Sequence, residues 1–167
     1  LFTQPLDAHQ AGTSSEHEKK PFRIPPAVSI ASLVRTCAAV GRLDQMADAL
    51  DEGRAATSGA QLARHAPSHN RALAAAMKAL THAGRTGDAL QLYEGSVALH
   101  GLRPNGIVLM RLCIAAQQHD RAAAEMAVGQ VSAALEAGDV LSPIARDAFV
   151  HCCARAAAAE AALAAFV

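Results

Sequence analysis

Apolar positions recur along this chain at offsets of three, one and three residues. Ile30, Leu33, Val34 and Cys37 form the first such set, Leu73, Ala76, Met77 and Leu80 the second, and Leu109, Leu112, Cys113 and Ala116 the third. A fourth set, Arg146, Phe149, Val150 and Cys153, keeps the spacing with one polar member. This spacing turns one face of a helix toward its neighbours. Each set leads into a turn and then a second helix, whose stripe is Leu43, Met46, Ala47 and Leu50 in the first copy and Ala89, Leu90 and Tyr93 in the second. Gly41 and Gly84 stand where a helix ends in left-handed geometry, which favours glycine. Asp120 and Ala157 hold that place in the weaker third and fourth copies, so the turns are spaced by 43, 36 and 37 residues. The surplus in the first interval falls in "GRAATSG" (53–59), read as a loop insertion. A helix pair this small cannot bury its own face. The pattern therefore predicts an all-α fold in which antiparallel pairs stack as a right-handed α-solenoid over residues 27–167, with repeats at 27–66, 69–105, 106–143 and 144–167.

Residues 1–26 show neither a helical nor a strand period and carry Pro21, Pro25 and Pro26. They read as an extended N-terminal arm, with Leu1, Phe2, Leu6, Phe22 and Ile24 as its apolar anchors on a partner. The Arg-rich, acid-poor signature of a transit peptide is absent, because Asp7, Glu16 and Glu18 lie in this stretch. The opening at Leu1 instead of Met reads as a processed or incomplete terminus.

Composition sharpens the reading. Of the 167 residues 41 are alanine, which favours helix and lets helix backbones approach closely. One Tyr, four Phe and no Trp leave too few β-formers for a sandwich or barrel. The four cysteines (Cys37, Cys113, Cys152, Cys153) form no CxxC pair and suit a reduced compartment. No apolar run is long enough to suggest a membrane span.

Net charge is zero, yet it is segregated. The four first helices, taken as 27–40, 69–83, 106–119 and 144–156, hold six Lys or Arg against one acid. The second helices, taken as 42–66, 85–100, 120–138 and 158–167, hold five Arg against ten acids. In a solenoid the first helices line the concave surface, so a neutral chain still presents a positive groove there. Candidate contacts to RNA backbone or to a partner are Arg35, Arg71, Lys78, His82, Arg111, His151 and Arg155. The same side chains equally suit a solvated face.

The stretch "ALTHAGRTGDALQLYEGSVALHGLRPN" (79–105) resembles the core of a pentatricopeptide repeat: a helix, an Ala-Gly-Arg turn, a second helix opening with an acid and Ala-Leu, then Gly-Leu-Arg-Pro-Asn. "CAAVGRLDQMADAL" (37–50) carries the same turn. Tetratricopeptide repeats want a glycine inside the first helix, where this chain has Val34, Met77 and Cys113. The resemblance implies a protein of organelles, mitochondrion first and plastid as the alternative, acting in RNA processing, translation or the organellar ribosome. It also implies one repeat per base, read from the fifth position of the first helix and the last position of the repeat. Here the fifth positions are Ala31, Ala74, Met110 and Asp147, and only Asn105 keeps the expected type at a last position. Asn105 and Asp147 are thus the candidate base contacts, in a code that is mostly missing.

Other chemistry is set aside. Cys152 and Cys153 point about 100° apart on a helix, and Cys37, Cys113 and Cys153 fall on the buried stripe, where free cysteines usually sit. His65 and His69 have a ligand-like spacing, but Pro67 between them is expected to break the helix. With no phosphate loop, HExxH or GxSxG, no metal, no cofactor and no enzymatic activity are expected. The expected function is a subunit or adaptor of an organellar ribonucleoprotein such as the mitochondrial ribosome, touching partner proteins and RNA backbone, rRNA above all, within a large hetero-assembly. A free-standing RNA-binding factor for organellar transcripts and a pure protein–protein scaffold are the alternatives.

Overall fold

Helix α1 (Ala27–Ala39) turns at Gly41 into α2 (Leu43–Ala55), and α3 (Gly59–His82) turns at Gly84 into α4 (Thr86–Glu94), which runs on as a π-helical turn, Gly95–Leu99. The pairs α5 (Gly106–His119) with α6 (Arg121–Glu136), and α7 (Pro143–Ala156) with α8 (Ala159–Ala164), complete the order. The computed structural model describes residues 27–55, 59–99 and 101–165; every regular element among them is helical. The arm 1–26, with its anchors Leu1, Phe2, Leu6, Phe22 and Ile24, lies outside the described residues.

The odd helices form one layer, in which α1 packs on α3, α3 on α5 and α5 on α7. The even helices α2, α4 and α6 each wedge between the odd helix before and the odd helix after, while α8 packs on α7. The apolar stripes explain this order. Ile30, Val34 and Cys37, then Leu73, Met77 and Leu80, then Leu109, Leu112 and Cys113 are all buried, as the period required. Many of the buried positions are alanines, Ala76, Ala89, Ala116, Ala124 and Ala127 among them, and side chains this small let helix backbones approach closely. Larger side chains are few. Tyr93, Phe149, Met46 and Met77 fill the remaining space.

The turns obey backbone chemistry with one departure. Gly41 and Gly84 adopt φ of +73° and +75°, and Ala157 takes the same left-handed region at +57°. Asp120 does not. Its φ is −154°, and its Oδ1 accepts from the Ala123 amide at 2.7 Å, so it caps α6 from an extended backbone. An acidic residue that can cap has no need of the strained region. At Gly84 a Cβ would meet no atom within 4 Å, so a substitution there reports backbone strain alone. Gly84→Val is expected to lower stability by about 1–2 kcal/mol. A urea midpoint that does not move would contradict the left-handed turn.

Two sequence expectations are corrected. The stretch 53–59 is not a loop as a whole, because α2 continues through Gly53 to Ala55 and α3 already begins at Gly59. Gly53 lies within α2 against Ile30, where a Cβ would collide with the Ile30 side chain. Nor does Pro67 end a helix: α3 passes through it, so the second helix placed at 42–66 is in truth α2 plus the first turns of α3. Pro67 is exposed, so its ring points away from the core, and Asn70 Nδ2 donates to the Ala66 carbonyl at 3.1 Å beside it. The extra residues of the first interval thus lengthen α3. His65 is exposed and His69 buried, so the two do not converge.

All four cysteines are buried, Cys152 included, and its thiol donates to the Ala124 carbonyl at 3.6 Å. The hydrogen bond with Cys152, together with burial, pushes the Cys113 thiol up, away from reactive thiolate. Burial likewise pushes Tyr93 up to about 12, and its hydroxyl lies 3.3 Å from Gln130 Oε1. Among the described residues no group of three or more His, Cys, Asp or Glu converges as metal ligands, and no helix is long and apolar enough to cross a membrane.

Candidate nucleic-acid interface

The regrouping of α3 sharpens the charge segregation. Odd helices carry seven Lys or Arg against the single acid Asp147, and α2, α4, α6 and α8 carry two Arg against nine acids. Between α1, α3 and the start of α5 the odd layer holds a groove of about 330 Å³. Arg35 and Arg71 line it from neighbouring helices, with the two fifth positions Ala31 and Ala74, and with Asn105 and Ile107. Among the described residues no carboxylate lines it.

Each of these groups is held by local chemistry. Arg35 lies along its own helix, with Nε donating to the Ala31 carbonyl at 3.2 Å and Nη2 to Ser32 Oγ at 3.3 Å. Its other N–H groups are left for a ligand. Asn105 is the N-cap of α5, where its Oδ1 accepts from the Val108 amide at 3.1 Å. The Asn105 amide in turn donates to Asn70 Oδ1 at 3.1 Å, while Asn70 Nδ2 donates to the Arg103 carbonyl at 3.1 Å as well as to Ala66. Buried Asn70 thus pins the link between α4 and α5 to α3, and fixes the rim of the groove. With one lone pair of its oxygen engaged as a cap, Asn105 keeps its side-chain N–H groups and the second lone pair for a base.

The structure brings Arg35, Arg71 and Asn105 to one groove and leaves the other candidates elsewhere. Lys78 is exposed on α3, seven residues beyond Arg71, and His82 is exposed in the last turn of that helix. Arg111 is half-buried on α5, off the row that continues Arg71 and Ala74. On α7, His151 and Asp147 are exposed and approach to 3.7 Å, an ion pair when the imidazole is protonated, and Arg155 lies in the last turn. The row through Arg71, Ala74 and Lys78 continues on α5 as Ile107, Met110 and Ile114. Basic character is therefore broken across the layer, a fact that a summed charge over all first helices conceals.

On the even-helix side, acids dominate. Arg85 bridges Asp44 of α2, at 2.8 Å, and Asp88 of α4, and these hydrogen bonds raise its already high pKa. The exposed pairs Arg121–Glu125 and Arg103–Asp139, at 2.8 and 3.1 Å, neutralise two further arginines. Arg35 and Arg71 differ in having no such partner among the described ion pairs.

Three groove residues escape a reading from sequence. Asn70 and Ser68 lie in a stretch taken for a helix end, and Ile107 looks like core by composition but is exposed. For Asn70 a signal existed: a polar residue just before the apolar stripe of α3, in a helix otherwise rich in alanine. No protein-family model matches the chain, and no curated protein matches it. Its likeness to pentatricopeptide repeats rests on the residues themselves.

Proposed function

We propose that this chain is a non-catalytic helical-repeat subunit or adaptor of an organellar ribonucleoprotein, the mitochondrial ribosome first among them, built as a right-handed α-solenoid that binds RNA backbone through its odd-helix face. One observation carries the reading. Arg35 and Arg71 line a single groove from adjacent helices, with no acid beside them. Guanidinium groups free of carboxylates suit phosphate, which they grip bidentately. Base reading is disfavoured by the same groove, since Ala31 and Ala74 have nothing to donate or accept at a base edge. No aromatic side chain lines it to serve as a stacking platform. What remains is attachment to backbone, the contribution of a subunit that positions RNA without selecting it.

The test is sedimentation of the tagged chain from a mitochondrial lysate. It is expected to travel with ribosomal particles and to move to light fractions after RNase treatment. Light fractions throughout would count against the assembly, and heavy fractions indifferent to RNase would count against RNA as the attachment.

A further inference from the structure

A groove that grips an RNA backbone meets more than phosphate, because consecutive phosphates of a strand are joined through a sugar. Where Arg35 and Arg71 hold the charged oxygens, the ribose between them comes to the uncharged polar groups that line the same groove, namely Ser68, Asn70 and Asn105. Asn70 has no donor left to give. Its two Nδ2 N–H groups are spent on the Ala66 and Arg103 carbonyls, and its Oδ1 accepts from the Asn105 amide. Asn105 differs. It is exposed, and only one lone pair of its Oδ1 is tied, by the Val108 amide. That cap fixes the side chain, so its N–H groups are presented to a ligand at little further cost in conformational entropy. Half-buried Ser68 adds a hydroxyl, which both donates and accepts.

Reading a base takes two or three side chains in concert. The groove residues that would join Asn105 in that task are Ala31 and Ala74, which neither donate nor accept. A ribose 2′-hydroxyl asks for less. It accepts and donates by itself, every ribonucleotide carries it, and it is the group that separates RNA from DNA at a given site. Building on RNA-backbone binding in this groove, we infer that Asn105 Nδ2, together with Ser68 Oγ, hydrogen-bonds a ribose 2′-hydroxyl, so that the groove selects RNA over DNA whatever the base sequence. Asn105 thereby passes from a contact that would read bases to one that recognises the sugar.

Fluorescence anisotropy of the full chain with labelled oligouridylate and oligodeoxyuridylate of equal length tests this, since the two probes differ in the 2′-hydroxyl alone. The ribose form is expected to bind about 3–10-fold more tightly. Asn105→Ser keeps an oxygen for the cap but removes the N–H groups. It should bring the ratio below about 2-fold with unchanged helical circular dichroism. Arg71→Ala should weaken both probes and leave the ratio in place, because phosphate is common to them. Equal affinities for the two probes, both weakened by Arg71→Ala, would overturn the ribose contact and leave backbone binding standing. Failure to bind either probe would overturn both. A ribose preference that survives in the Asn105→Ser, Ser68→Ala double variant would place its source elsewhere and overturn the assignment as well.

Discussion

Phe149→Ala is expected to destabilise the chain by about 3–5 kcal/mol, measured as the loss of unfolding free energy in urea. Phe149 is fully buried on α7, a helix that packs on both α5 and α6. Alanines, which have no rotamers with which to close a void, make up much of the buried interior, and this places the cost toward the upper end. A domain of this size is stable by about 5–15 kcal/mol, so the variant removes a large share. Phe149→Leu keeps most of the volume and is expected to cost less than about 1.5 kcal/mol. Near-equal losses for the two variants would mean that the site collapses freely and that the small-residue packing is not rigid.

The second large effect concerns RNA. The Arg35→Ala, Arg71→Ala double variant is expected to weaken binding of a single-stranded oligonucleotide by about 10–100-fold in low salt, read by fluorescence anisotropy. The slope of log affinity against log salt should become shallower by about 1.4, the share of two lost single-strand phosphate contacts. Arg121→Ala, whose guanidinium already pairs with Glu125 on the even-helix side, should leave both quantities unchanged. The wild-type chain should prefer a given oligonucleotide over its shuffled version by less than about tenfold. A larger preference would restore a base-reading role to Asn105.

What could be read from the sequence was whatever local periodicity and backbone sterics dictate. The buried stripes, the glycine turns at Gly41 and Gly84 and the all-helical class all follow from spacing and from the left-handed preference of glycine. What escaped depended on tertiary context. Pro67 is tolerated because it faces water, and Asp120 caps α6 because its carboxylate reaches the Ala123 amide. The groove was half legible. Charge segregation pointed to the odd layer, but the role of Asn70 depends on partners 33 and 35 residues away. Exposure of Leu33 and Leu163 was likewise invisible, since Leu112 and Leu90, at the same offsets from their turns, are buried.

Basic odd helices backed by acidic even ones give a molecule of zero net charge a dipole across its thickness. In the uniform part of a polyanion's field such a molecule feels no net pull, only a torque. It turns before it is drawn in, and presents the Arg35 and Arg71 side while the acidic back points away. The gradient close to the phosphates then attracts the already oriented molecule. Salt therefore acts on it twice, first by shortening the range over which it aligns and then by weakening the contacts it makes. A second polyanion approaching from behind meets the acidic layer and is repelled, so the arrangement discourages bridging between two polyanions.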